Sequence, residues 1–140
     1  MINSRIENYA ALILRLTLGA LFLAHAGVKL FIFTPAGTAQ FFTSLGLPPA
    51  FAYLTIAWEL SVAIALVVGF RTRVAALAGT ATLLGSIISV HGSAGFLFTN
   101  PNGGWEFPAL WIITLVTLAI LGDGARIKEP TPDLKMNHKT

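Results

Sequence analysis

Apolar residues occur along this chain in four long runs, at residues 10–33, 50–70, 74–90 and 105–121, each bounded by glycine, proline or charged residues. A helix that crosses a bilayer needs about 20 predominantly apolar residues. The pattern therefore predicts an all-α membrane protein, a four-transmembrane-helix bundle. The first run, AALILRLTLGALFLAHAGVKLFIF, carries Arg15, His25 and Lys29 inside its apolar length. At roughly 100° per residue, Lys29 falls about 40° and His25 about 80° to the same side of Arg15. A charge at mid-bilayer costs roughly 2.5 to 3.5 kcal/mol on insertion scales, so a stripe holding three ionisable groups is expected to face other helices and not lipid.

The segments between the runs fit the same plan. Residues 34–49, TPAGTAQFFTSLGLPP, form a loop whose Phe41 and Phe42 predict a short amphipathic or re-entrant piece capping the bundle. Pro48 and Pro49 suit the start of the second helix, which has Trp58 and Glu59 near its middle and Arg71 and Arg73 at its end. The third helix is rich in Ala, Gly, Ser and Thr, small residues that let membrane helices approach closely and predict a central place in the packing. It ends at His91. The glycine-rich loop 92–104 leads to Trp105, Glu106 and Pro108 at the head of the fourth helix, which Gly122, Asp123 and Gly124 stop. This makes one domain, residues 1–125, followed by a charged cytoplasmic tail at 126–140.

Composition strengthens the membrane reading, with 55% hydrophobic and only 11% charged residues against a soluble average of about 25% charged. The sequence pI near 9.7 does not point to nucleic acid, because such binding needs a basic patch on a solvated surface and the basic residues here are scattered over helix ends. The chain has no cysteine, which excludes disulfides, thiolate metal sites and thiol redox chemistry within it. Ala24-His25-Ala26 has the form of a signal-peptidase site, but the apolar segment continues past it to Phe33, so the first helix is expected to be permanent.

Of the nine Lys and Arg residues, Arg5, Arg71, Arg73, Arg126, Lys128, Lys135 and Lys139 lie on the side of the termini; the two opposite loops have none. The positive-inside rule then places both termini in the cytoplasm. With helix directions set and a rise of about 1.5 Å per residue, His25 and Glu59 come out level, about 12 to 14 Å deep. Lys29 lies one turn further out, His91 and Glu106 sit at the outer helix ends, and Arg15 belongs to the inner half. Simpler roles stay open for each. Glu59 can neutralise Lys29 or Arg15, Arg15 can snorkel as a structural charge, and His91 can be a helix-end residue. Glu106 suits a helix N-terminus, and Trp58, Trp105 and Trp111 suit lipid-facing or interfacial positions. Those roles leave unexplained why five ionisable groups should meet at one end of a small bundle.

The strings LRLTLGALFLAHAGVKLF, GTAQFFTSLGLP, ELSVAIALVVGFRTR and NPNGGWEFPALW, in that order, resemble the DoxX family of small bacterial inner-membrane proteins. The similarity covers residues 10 to 125. It implies a four-span bundle and an association with quinone-linked or thiol-linked oxidoreductase systems, and it sets Arg15, His25, Lys29, Glu59 and Gly104-Trp105-Glu106 at the family's recurrent polar positions. The leading expectation is a multi-pass subunit of the bacterial cytoplasmic membrane that binds a quinone or similar small redox molecule in the outer-half cluster. His25 and Lys29 would donate hydrogen bonds and Glu59 would relay protons. Trp58, His91, Trp105 and Glu106, with Phe96 and Phe98, would complete the pocket. Lacking flavin, haem or thiol motifs, the chain would take electrons from a redox protein partner; association with further copies of itself stays open. One alternative is a non-catalytic anchor, assembly factor or small-solute carrier. A weaker one is a metal site made by His25, Glu59, His91 and Glu106, ligands suited to Zn or Fe. The topology is directly testable: a reporter fused at residue 97 should read as non-cytoplasmic, and a cytoplasmic signal there would overturn the assignment.

Overall fold

The structure, a computed structural model, describes residues 4–125; the predicted tail at 126–140 lies outside them. Those residues form five α-helices and no strand. Helix α1 (Ser4–Gly27) continues into a π-helical turn, Val28–Ile32. Helix α2 is Pro35–Ser44 and α3 is Ala50–Val68. Helix α4 (Thr72–Ser86) likewise runs into a π turn, Ile87–His91, and α5 is Glu106–Leu121. Three stretches, Ser4–Ile32, Ala50–Val68 and Thr72–His91, are long and apolar enough to cross a membrane, whereas α5 is a shorter apolar helix of 16 residues. At about 24 Å it is shorter than a hydrocarbon core of roughly 30 Å.

The helix boundaries have local causes. Helix α1 starts six residues before the predicted point, because no Pro or Gly interrupts Ser4–Tyr9 and Glu7 favours the positive end of the helix dipole. The 34–49 segment is a full helix. Thr34 accepts the Gly37 N–H at 3.1 Å while Pro35 occupies the first position. Helix α3 stops at Val68, short of the expected residue 70. Gly69 takes the left-handed conformation there, with φ 79°, and returns its N–H to Ala65 O at 2.9 Å.

Packing runs from α1 to α3, from α3 to α4 and from α4 to α5, while the α1–α5 seam is thinner. The buried face of α1 is Ala11, Arg15, Leu18, Gly19, Phe22 and Ala26, the three-and-four spacing of one helical face, so Arg15 does point inward, while of the other two charges of its stripe Lys29 is half-buried and His25 is exposed. Gly19 lets the α1 backbone approach Val67 and Ala63 of α3. Phe22, only 1% exposed, fills the centre of the bundle against Gly79 of α4, where an added Cβ would lie 2.8 Å from the ring. The exterior is apolar in turn, with Phe31 and Ile88 each 84% exposed and Ile120 and Val68 each 71%. A surface of that kind suits hydrocarbon and not water.

The Phe22–Gly79 contact yields a stability prediction. Gly79→Val should lower the thermal midpoint of detergent-solubilised protein by the equivalent of about 1 to 3 kcal/mol. Adding Phe22→Leu should recover part of the loss. Equal stability of Gly79→Val and wild type would show that the centre is not tightly packed at this point.

Candidate functional site

The inner face of α1 presents its charges to two different ends of the bundle. At the end away from the termini, Lys29 Nζ donates to both carboxylate oxygens of Glu59 on α3, at 3.0 and 2.8 Å, with side chains 19% and 6% exposed. Side chains lean toward the N-terminus of their own helix, which brings the Lys29 head down to the level of Glu59. Helix α2 supports the pair from outside: Thr38 is buried and its hydroxyl donates to Thr34 O at 2.9 Å and to Lys29 O at 3.3 Å. The wide π turn closes with Phe33 N–H on Val28 O at 2.9 Å, and Thr38 serves a carbonyl within it. The two charges neutralise each other, as expected where water is scarce.

His25 does not join them. The sequence stripe put His25 opposite Glu59, but at about 80° from Arg15 it falls at the edge of the inward face and is exposed. Its ring packs edge-on against Trp111 of α5, with centroids 4.9 Å apart, and Trp111 also touches Phe22 at 4.9 Å. Nδ1 lies 2.9 Å from Leu21 O one turn earlier. A carbonyl only accepts, so Nδ1 carries the proton of that bond and Nε2 is left without a partner among the described residues. Beside it, Trp111 Nε1 is a buried donor that has no acceptor there either.

The remaining predicted site residues are used by the loops and the other flank. His91 Nδ1 donates to Gly103 O at 2.8 Å, and Glu106 accepts the Phe98 N–H at 3.1 Å. Trp105 stacks edge-on with Phe96, centroids 4.8 Å apart, while the N–H groups of Gly104, Trp105 and Glu106 reach Leu97, Gly95 and Phe96 carbonyls at 3.0 Å each. Gly104 is buried against those carbonyls so closely that any Cβ would strike them. These residues fasten the 92–104 loop to the head of α5 and do not wall a pocket around Glu59. Trp58 neighbours Glu59 in sequence but faces the opposite flank, donating to Ala78 O of α4 at 2.9 Å. The weak metal alternative is not assembled: among the described residues no three His, Asp or Glu side chains are placed to hold an ion. His25, Glu59, His91 and Glu106 are each directed to a different neighbour.

At the end that holds the termini Arg15 is 2% exposed and does not snorkel out. Its Nη1 donates to Asp123 O at 2.9 Å, and its guanidinium fills the space where Gly69 would otherwise carry a side chain. Asp123 accepts the Thr72 N–H at 3.2 Å, and Ala125 N–H reaches Asn8 O at 2.9 Å. The chain leaving α5 thus crosses under α1 and ties this end of the bundle together around the Arg15 guanidinium. Sequence reasoning missed Thr38, Trp111, Gly69 and Asp123 as partners. Only Trp111 had a readable signal, as the first member of the Trp111, Leu115, Leu118 spacing that marks one helical face.

The sequence model of the DoxX family matches residues 10–92, the stretch that contains Arg15, His25, Lys29, Glu59 and His91. A Bacillus subtilis (strain 168) protein named "Putative oxidoreductase CatD" is 37% identical over 111 residues, 79% of this chain and 78% of that protein. No solved structure matches.

The ion pair can be tested by a double-mutant cycle. Lys29→Met leaves Glu59 buried without its partner and should cost about 3 to 5 kcal/mol of stability. Lys29→Met with Glu59→Leu should regain most of it. Additive losses in detergent melts would show that the two groups do not depend on each other.

Proposed function

The chain belongs to the DoxX family, and from that membership we propose that it is a multi-pass subunit of a quinone-linked oxidoreductase system in the bacterial cytoplasmic membrane. In this reading α1, α3, α4 and α5 all cross, the short α5 within a locally adapted bilayer, and both termini are cytoplasmic. A quinone or similar small redox molecule binds on the α1–α5 seam, at the outer half of the membrane. The observation that carries the site is His25, an imidazole on the apolar exterior beside the Trp111 ring, with Nδ1 tied to its own helix and Nε2 without a partner among the described residues. A lipid-soluble head group can approach such a seam sideways from the bilayer.

A bound quinone supplies two-electron, two-proton chemistry. The residues here would orient it and handle a proton. In its neutral form His25 presents Nε2 as an acceptor for a quinol hydroxyl, and in its protonated form it presents a donor for a quinone carbonyl. The ring of Trp111, half-buried on the seam and backed from inside by Phe22, gives an apolar wall. Lys29 and Glu59, engaged with each other, hold α1 against α3 and keep His25 at its level. Electrons would come from a redox protein partner, since the chain has no cysteine and no motif for a nucleotide cofactor.

The mutual pairing of Lys29 and Glu59 and the loop-fastening roles of His91 and Glu106 favour a second reading, a non-catalytic anchor or assembly factor whose polar groups serve the bundle alone. Fluorescence separates the two. In a Trp58→Phe, Trp105→Phe background, a short-chain quinone should quench Trp111 saturably, and His25→Gln should weaken that binding about tenfold, a difference near 1.4 kcal/mol. Absence of saturable quenching, or the same affinity with His25→Gln, would remove the seam as a quinone site and leave the anchor.

A further inference from the structure

The flank opposite His25 carries a groove that none of this uses. It lies between α3 and α4, has a volume of about 190 Å³, and is lined by Trp58, Ser61, Val62, Ala65, Val74 and Ala78. Apart from the Ser61 hydroxyl, which donates to Ala57 O of its own helix at 2.7 Å, the walls are apolar, and the indole of Trp58 closes the far end by its bond to Ala78 O. The near end, about 15 Å along α3, opens at Phe70 and Arg71. Arg71 has a left-handed backbone, φ 45° and ψ 48°, which residues with a Cβ avoid. Its guanidinium sits 5.7 Å from the centre of the Phe70 ring, at the mouth of the groove. No carboxylate among the described residues pairs with it. The neighbouring Arg73 is occupied elsewhere, over Gly122 at the end of α5.

We propose that this groove is a binding site for one anionic phospholipid, with an acyl chain lying between α3 and α4 and the headgroup phosphate on Arg71. The shape and the charge argue for the same occupant. A long apolar trough matches a hydrocarbon chain, and an exposed arginine held by an aromatic ring at its open end matches a phosphate. In the proposed topology that end lies at the cytoplasmic leaflet, where anionic headgroups are drawn to basic side chains beside membrane helices. A left-handed arginine is a costly way to build a turn, and its placement of the cation at the groove mouth gives that cost a use.

The inference rests on the membrane reading and not on the quinone. Native mass spectrometry of the purified protein with added phosphatidylglycerol or phosphatidylcholine tests it. Wild type and Arg71→Lys should favour phosphatidylglycerol about fivefold, the factor expected for one basic side chain near an anionic surface. Arg71→Gln should lose that preference, and Ser61→Trp, which fills the groove, should weaken binding of both lipids. Retention of the preference by Arg71→Gln would overturn the site. So would efficient cross-linking of Ser61→Cys, the sole cysteine of that variant, between two copies in native membranes, since a second copy would then cover the groove. Release of the chain from membranes by alkaline carbonate would instead sink the membrane reading itself.

Discussion

Arg15 and Lys29 point into a bundle whose outside is hydrocarbon-like, so the chain itself has to supply their partners. Lys29 takes Glu59 of α3, and Arg15 takes the Asp123 carbonyl from the segment that follows α5. The first contact ties α1 to α3 at one end of the bundle, and the second ties α1 to the exit of α5 at the other. Between them the helices close on small residues, with Gly19 meeting α3 and Gly79 admitting the ring of Phe22. The polar ends and the packed middle need each other. A buried pair holds only if its geometry is kept, and a core without a side chain at Gly79 is filled only while α1 stays in register.

This arrangement leaves the two flanks of the bundle chemically different. On the α1–α5 flank the contact is thin, and His25 has a ring nitrogen that no described residue engages, next to Trp111. On the α3–α4 flank a trough ends at an arginine held over the ring of Phe70. The proposed redox ligand and the proposed lipid therefore do not compete for space. The loop 92–104, fastened by His91 and Glu106 and by the close passage of Gly104, closes the end of the bundle away from the termini. Residues that look like ligands in the sequence serve there as ties, because a loop without regular structure has to satisfy its backbone groups one at a time.

Much of the helical framework follows from the sequence alone. Apolar runs bounded by glycine and proline place four of the five helices to within a few residues, apart from the early start of α1, and the 3.6-residue repeat turns Arg15, Leu18 and Phe22 to the inside. Membership of the DoxX family is likewise legible in the order of its motifs. Of the short helix α2 the sequence predicts only a capping piece, since Thr34 and Pro35 start a helix by a hydrogen bond that composition does not reveal. Only the tertiary structure decided which neighbour each polar group meets. Periodicity assigns an angle around one helix, but the partner at that angle depends on the order of helices around the bundle. About 40° separates Lys29 from His25 on α1. With α3 on one side and α5 on the other, that angle is enough to give one residue a buried carboxylate and the other an exposed aromatic seam.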